Sequence, residues 1–245
     1  MTSHPPADHF EGKSVVDHLR EARTRGAIAA AEVHGVEMPG HLAAGADAAK
    51  DTAIALLILW AFFGNAFNYK LLIVFSSGWM LWKIGRSAFL GWSRLERLHR
   101  VIEEERWEIE HHREQEREEL TEMYMAKGLS GKFLEEVIDV LMADDNRLLR
   151  VMLEEELGLT LEAYEHPLKQ SFGAGAGVLL TALLFLLCFW INPFYGILAA
   201  TLIMICVVSA TAAKLERNHV LPAIIWSLGI AVLTGSTVFL LARLF

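Results

Sequence analysis

Glutamate is concentrated in one short stretch of this 245-residue chain. Residues 103–122 carry ten glutamates, whose carboxylates are hard oxygen ligands for divalent metal ions. At about 100° per residue along a helix, one set of these glutamates falls on a single face, with His112 between its members and Met123 extending it. That set is Glu105, Glu108, Glu116 and Glu119. The spacing therefore predicts a ladder of metal ligands along one helix.

The same pattern also fits a helix whose charges are simply solvated. Arg106, Arg113 and Arg117 could pair with the glutamates along the helix. The other glutamates project away from the ladder and would be hydrated in either case. They include Glu103, Glu110, Glu114 and Glu118.

Two further groups of metal-ligand residue types occur in the chain. Glu96 with His99 and Glu108 with His111 form Glu-x-x-His pairs, the local unit of di-iron sites in helical bundles. Both pairs lie on one predicted helix, so a ferroxidase centre within a single chain is not favoured. A mixed-donor cluster precedes the first apolar stretch, where a polar loop beside the membrane is the favoured interpretation. The cluster contains Glu32, His34, Glu37, Met38 and His41.

The elements that would position these residues are predicted from the separation of apolar and charged residues. The chain is 53 % hydrophobic and 21 % charged, and long apolar stretches cover residues 52–92, 173–213 and 220–242. A bilayer core about 30 Å thick needs roughly 20 helical residues, so the first two stretches are each interpreted as a pair of spans. The second pair breaks at Asn192-Pro193. We predict five transmembrane helices, at about 52–67, 71–92, 172–191, 194–213 and 220–242.

Orientation follows from the Lys and Arg residues after the second and fourth predicted spans, which favour the cytoplasm. The chain is thus predicted to be an all-α, multi-pass integral membrane protein of the lipid bilayer. Its predicted parts are an N-terminal cytoplasmic segment (1–50), spans one and two (51–93), a cytoplasmic helical domain (94–169) and spans three to five (170–245). The net charge of −8 makes nucleic acid an unexpected partner.

Three helices are predicted in residues 94–169. The first continues from span two to residue 126 and ends before Gly128. Ser130 would cap the second, and the third begins at Asp144 or Asp145 and ends at Gly158. The apolar face of the second helix is predicted to consist of Phe133, Leu134, Val137, Ile138 and Leu141.

A homodimer is predicted for two reasons. The apolar residues of 94–169 are too few for a large core, so packing needs metal ions or a second copy of the chain. In addition, Gly173 and Gly177 form a small-xxx-small surface of the kind through which membrane helices approach closely.

Residues 116–159 resemble the cytoplasmic metal-binding domain of the vacuolar iron transporter family, which includes the calcium-cross-complementer proteins. The resemblance lies in Tyr124, Gly128, the Gly-Leu-Ser turn that follows, and the ending from Met152 to Leu159. The resemblance extends to the predicted arrangement of five transmembrane helices. It implies binding of divalent iron and related transition metals, and Leu153 stands where the family has a second methionine. The ligands it implies are Glu105, Glu108, Glu116, Glu119, Met152 and Glu156.

The apolar stretch 52–92 departs from the family pattern. It contains no Asp or Glu, although family members that resemble the plant and fungal transporters keep an acidic residue in span one and a Ser-Met…Gly-Glu-Tyr type motif in span two. Met80 stands where the family methionine does and is the candidate residue on a transport path. Lys83, Ile84 and Arg86 occupy the region of the family carboxylate.

The resemblance implies a transporter that exports or sequesters Fe²⁺ or Mn²⁺ from the cytoplasm, with Co²⁺ and Zn²⁺ as further candidate ions because such ligands accept all four. The sequence contains no nucleophile elbow, phosphate loop or dinucleotide fingerprint, so an enzyme is not expected. Two alternatives stay open. One is a membrane-tethered protein that binds or senses metal without transport, and the other is a structural dimeric membrane scaffold.

Overall fold

In the computed structural model, residues 14–30, 38–159 and 165–244 are described. Within these ranges the chain is all helical, as predicted. A 3₁₀ turn (Gly64–Ala66) and a π-helical turn (Met152–Glu156) accompany the α-helices. The α-helices are α1 (Val15–Ala30), α2 (Gly40–Phe63), α3 (Tyr69–His111), α4 (Arg113–Ala126), α5 (Gly131–Met142), α6 (Asp145–Val151), α7 (Pro167–Ile191), α8 (Tyr195–Leu215) and α9 (Val220–Leu241).

The chain divides into two compact units. One comprises residues 1–35 and 93–164 and is called the acidic unit, and the other comprises residues 36–92 and 165–245 and is called the apolar unit. In this division α1 belongs with α4, α5 and α6. The boundaries predicted from sequence at residues 50, 93 and 169 stay predictions.

The acidic unit has an apolar core to which α1 contributes. Ser14 caps the start of α1, because the Asp17 N–H donates to its Oγ at 3.2 Å. The Ser14 hydroxyl in turn donates to the Asp17 carboxylate at 2.8 Å. Leu19 of α1 then packs into the core. Phe133 was predicted on the buried face of α5, but it is 64 % exposed. The core is formed mainly by Leu19, Leu98, Ile109, Leu120, Met123, Leu134, Ile138, Leu148, Leu149, Met152, Leu153, Leu157 and Leu159.

The single helix predicted from residue 94 to 126 is wrong, because the chain breaks at His112. This residue has φ −124° and ψ 32°, outside the helical region, and separates α3 from α4. Arg113 fixes the start of α4, donating to the Asp145 carboxylate at 2.7 Å and to the Met142 carbonyl at 2.5 Å. The predicted end of this segment is confirmed, since Gly128 adopts φ 94° just after α4.

Among the described residues of the apolar unit, three helices are long and apolar enough to cross a membrane, α7, α8 and α9. The predicted break between α7 and α8 is confirmed at Asn192, whose side-chain oxygen accepts from the backbone N–H groups of Phe194 and Tyr195. The helix that contains predicted span one begins earlier than expected, at Gly40, and includes Asp47 and Asp51. The five-span arrangement stays a prediction.

Gly173 and Gly177 pack within the chain. A Cβ on Gly173 would lie 2.0 Å from the His41 carbonyl oxygen, and one on Gly177 would lie 2.2 Å from the Gly45 carbonyl oxygen. Both positions bring α7 into backbone contact with α2. The argument for a homodimer from these two glycines is therefore wrong, because the close approach they allow is already used within one copy.

Candidate metal centre

Three of the predicted glutamates meet at one point of the acidic unit. Each of Glu105, Glu108 and Glu116 offers a carboxylate oxygen, and these oxygens lie within 4.8 Å of one another. On an unbroken helix the eleven-residue step from Glu105 to Glu116 would separate their Cα atoms by about 16 Å. The break at His112 is what turns the predicted linear ladder into a compact cluster.

A second group lies in the same unit and takes its members from three elements. His18 of α1, Glu119 of α4 and Glu156 of the π-helical turn each offer one ligand atom, and these also lie within 4.8 Å of one another. The His18 Nε2 atom is 3.6 Å from the Glu119 Oε1 atom. All three residues are buried.

The carboxyl groups are buried more deeply than ionised groups tolerate without partners of opposite charge. Glu105, Glu116, Glu119 and Glu156 are each 4 % exposed or less, and Glu108 is half-buried. Burial, and then the charges of Glu119, Glu156 and Glu108, raise the pKa of Glu116 to about 10. Burial first, and then the same neighbours together with Glu116, raise the pKa of Glu105 well above its usual value. The five carboxyl groups thus form one electrostatic cluster that favours protons or cations.

One oxygen of this cluster lacks a hydrogen bond. Within the part of the chain that the structure describes, the Glu105 Oε1 atom is buried and has no hydrogen-bond partner. A buried polar atom left unsatisfied costs roughly 1–3 kcal/mol, and more when it is charged. A bound cation would satisfy it.

The π-helical turn supplies the remaining predicted ligands, Met152 and Glu156. Its pattern is shown by the Leu157 N–H, which donates to the Met152 carbonyl at 3.3 Å, five residues back. Such turns are frequent at functional sites. Met152 is fully buried in the core of the acidic unit, four positions before Glu156. Leu153, where the family has a second methionine, is fully buried in that core as well.

Within the described residues, the other histidines singled out from sequence, His41, His99 and His111, belong to neither ligand group. The His111 ring stacks on Trp107 at 4.3 Å, and its Nδ1–H donates to the Trp107 carbonyl at 2.9 Å. His99 is exposed. In the N-terminal cluster, Glu32, His34 and Glu37 lie outside the described residues, Met38 is buried, and His41 bonds instead to the Glu165 carboxylate, its Nδ1 atom 2.6 Å from Oε1.

Sequence reasoning missed His18. The signal that could have drawn attention to it is Ser14, a residue type that favours the N-cap position and here begins the helix four residues before His18. That signal predicts a helix but does not identify the elements against which the helix packs.

The predicted transport residue Met80 belongs to the apolar unit. It is half-buried and packs against a small cluster formed by Ala48, Ala174 and Val178. Near it, the Lys83 ammonium forms an ion pair with the Asp51 carboxylate. A carboxylate is therefore present beside α3, contributed by the residue just before the stretch 52–92.

Comparison with protein families gives one match. Residues 84–243 match the family model described as VIT family, which covers well over half of the chain and includes all six predicted metal ligands. Residues 14–83, with α1 and α2, lie outside the matched range. No curated protein matches the chain.

Proposed function

We infer that this chain, which belongs to the VIT family, is a membrane transporter that moves divalent transition-metal ions out of the cytoplasm. Family membership and the three apolar helices support transport of metal ions across a membrane. The observation that carries the proposal is the buried cluster of carboxyl groups in the acidic unit. In this proposal the cluster collects the ion before transport, and the chain has no enzymatic activity.

The ligands proposed for the transported ion are those predicted from the sequence. Oxygen ligands with one thioether accept Fe²⁺ and Mn²⁺, and also Co²⁺ and Zn²⁺, with an order set by geometry and supply. Burial supports occupancy by a cation, because carboxylates so close together need positive charge in order to ionise. We propose Fe²⁺ or Mn²⁺ as the physiological ion. The ligand set is Glu105, Glu108, Glu116, Glu119, Met152 and Glu156.

The proposed topology has five spans, with α2 and α3 supplying the first two. Lys83, Arg86 and Arg94 lie on α3 near its proposed exit from the membrane, which favours a cytoplasmic location for this end. The N-terminus and the acidic unit would then both be cytoplasmic. The Asp51 and Lys83 charges on α2 and α3 neutralise each other, which lowers the cost of placing these helices near the bilayer.

The proposed path runs through the apolar unit past Met80. Two buried hydroxyl groups, Ser76 Oγ on α3 and Ser209 Oγ on α8, have no hydrogen-bond partner among the described residues. Buried hydroxyls are normally satisfied, so these oxygens are available to a partly hydrated ion. They are weak ligands, and the Asp51 carboxylate beside α3 is paired with Lys83.

The ion pair of Asp51 with Lys83 favours a second candidate function, a membrane-tethered metal-binding or sensing protein. Such a protein needs the acidic cluster but no path through the bilayer. Both candidates predict metal binding, and only the first predicts metal movement.

We keep the homodimer as a proposal on a different surface. The α3 helix exposes Val74, Leu81 and Phe89, and a Cβ added at Gly78 or Gly85 would meet nothing within 4 Å. These glycines lie one heptad apart on the same helix and could admit a second copy of α3.

The deciding experiment is metal flux into proteoliposomes that enclose a metal-sensitive dye, with and without an imposed pH gradient. We expect Mn²⁺ entry for the parent protein and at least a tenfold lower rate for Glu116→Gln combined with Glu119→Gln. Met80→Ala should slow flux while leaving equilibrium binding unchanged. Binding without any flux in the parent protein would instead establish the tethered binder. Flux that follows the pH gradient would show that a proton-carrying group takes part.

A further inference from the structure

The helix α1 presents one histidine to the interior of the acidic unit. The Ser14 side chain caps the start of the helix by accepting from the Asp17 N–H, and Leu19 packs in the core with Val15 against it. This packing places α1 against α4 and the π-helical turn. His18, next to Leu19, is thereby only 6 % exposed, in a helix whose neighbouring positions Val16, Asp17 and Arg20 are exposed.

The surroundings of His18 have the dimensions of a metal site. Its Nε2 atom is 3.6 Å from Glu119 Oε1, longer than a hydrogen bond. Two ligands that share one ion at bond lengths of about 2.0–2.2 Å lie roughly 3–4 Å apart. The Glu156 oxygen completes a set of three atoms within 4.8 Å. These ligands come from α1, α4 and the π-helical turn, so no single helix could supply them.

An independent observation indicates that a cation belongs in this region. Glu105 is 4 % exposed, its Oε1 atom has no hydrogen-bond partner among the described residues, and the carboxylate belongs to the neighbouring group with Glu108 and Glu116. The six side chains fall into two separate sets of ligand atoms, which matches one ion for each set. Two divalent ions would bring four positive charges to the five carboxylates of the cluster, which leaves it close to neutral.

We propose that His18 is a metal ligand, and that with Glu119 and Glu156 it forms a second ion position beside the all-oxygen position of Glu105, Glu108 and Glu116. This inference rests on the proposed function, since it assigns part of the same ion-collecting site. An imidazole nitrogen suits Fe²⁺, Co²⁺ and Zn²⁺, whereas Mg²⁺ and Ca²⁺ require oxygen ligands. The His18 position therefore selects transition metals against the abundant hard cations. His18 lies outside the matched range 84–243. Its proposed role as a ligand is therefore a property of this chain that the family match does not cover.

The test uses the full-length protein in detergent with Co²⁺ as the only added metal. We expect two Co²⁺ ions per chain, and an X-ray absorption spectrum of the bound metal that contains the multiple-scattering features of imidazole. His18→Gln should bind one ion fewer and lose those features. Added Mg²⁺ should also compete with Co²⁺ more strongly in this variant. The factor by which Mg²⁺ lowers the apparent Co²⁺ affinity should be at least tenfold larger for His18→Gln than for the parent.

Two further variants sharpen the test. His99→Gln removes an exposed histidine of α3 and should change none of these results. His18→Asp keeps a ligand atom, so it should retain two ions while losing the imidazole features and the discrimination against Mg²⁺.

The two proposals fail in different ways. If the parent protein binds no Co²⁺, the proposed function itself is wrong. If the parent binds Co²⁺ without imidazole features, or if His18→Gln binds the same number of ions with an unchanged spectrum, the ligand role of His18 is overturned while the oxygen site stands. The spectrum of the parent needs no variant, so a poorly folded His18→Gln does not remove the test.

Discussion

Glu116 lies in the interior of the acidic unit with other carboxyl groups around it. Its pKa of about 10 means that the metal-free folded protein holds this side chain protonated at neutral pH, whereas the unfolded chain, at a pKa near 4.5, releases the proton. A group whose pKa is raised on folding stabilises the fold fully below the unfolded pKa. That contribution is lost as the pH rises through the folded pKa.

We therefore expect the metal-free protein to lose thermal stability between about pH 5 and pH 9. The measurement is thermal unfolding in the presence of a chelator across this range. Glu116→Gln, which imitates the protonated carboxyl group, should show a weaker decrease with pH. A decrease of the same size in both proteins would mean that Glu116 does not titrate as the geometry requires.

Metal binding should release protons for the same reason. A carboxyl group must ionise to bind a metal ion, so Mn²⁺ should bind more tightly as the pH rises from about 6 to 8 and should release protons into a weakly buffered solution. Glu116→Gln should release fewer protons per bound ion, and Glu135→Gln, an exposed glutamate of α5, should not differ from the parent. Equal release by all three proteins would contradict the assignment.

At the residue scale, the sequence predicts a candidate set of glutamates but not the geometry in which their side chains meet. Periodicity on one predicted helix groups Glu105, Glu108, Glu116 and Glu119 as one candidate set, and their role as ligands stays a prediction. In the structure Glu105 and Glu108 lie on α3 and the other two on α4, and Glu119 belongs to a different ligand group from the first three. Their clustering depends on the break at His112, and the position of His18 depends on tertiary packing of α1. Neither has a local signal, since each requires contacts between residues far apart in the chain.

At the scale of elements, the break at His112 shows why a helix boundary can escape prediction. Glu, Arg and Gln on both sides favour a helix, so periodicity continues through the break. The contacts that fix the start of α4 join Arg113 to Asp145 and Met142, residues 32 and 29 positions away. By contrast, Gly128 and Asn192 end or begin their helices through local geometry, and the sequence predicts both positions.

The contact between α2 and α7 gives a prediction at this scale. Gly177→Ala would place a Cβ 2.2 Å from the Gly45 carbonyl oxygen, which forces the two backbones apart at a cost of about 1–3 kcal/mol. The control is Gly229→Ala in α9, where the added Cβ meets nothing within 4 Å and helix propensity favours alanine by up to about 1 kcal/mol. Thermal unfolding in detergent should show a lower midpoint for Gly177→Ala and an equal or higher one for Gly229→Ala. An unchanged midpoint for Gly177→Ala would mean that the backbones are not in contact.

For the whole molecule, the separation of apolar from charged residues predicts the all-α fold and the three apolar helices α7, α8 and α9. It is less decisive for the other two predicted spans. Asp47, Lys50 and Asp51 lie within α2, and Lys83 and Arg86 lie within α3, so neither helix is uniformly apolar. Which parts of these two helices contact lipid depends on ion pairs such as that of Asp51 with Lys83, which composition does not reveal.

The homodimer prediction belongs to the same scale. We expect a mass of two copies in mild detergent, measured by light scattering with the detergent contribution subtracted. Phenylalanine at Gly78 and Gly85 together should shift the protein to one copy, because it fills the proposed contact on α3. Gly229→Phe, on an equally open position of α9, should leave the dimer intact. A single copy in the parent protein would refute the proposal.

The glycine contacts between α2 and α7 also limit how the apolar unit can deform. His41 and Gly45 carbonyl groups lie directly against Gly173 and Gly177, so no side chain between the two backbones can change rotamer to absorb a displacement. Sliding one helix along the other would bring residues that carry a Cβ, such as Ala174, into gaps that only glycine leaves. The α2 and α7 helices therefore behave as one rigid body. If the proposed transport involves a rocking motion of the apolar unit, that motion must therefore carry α2 and α7 together.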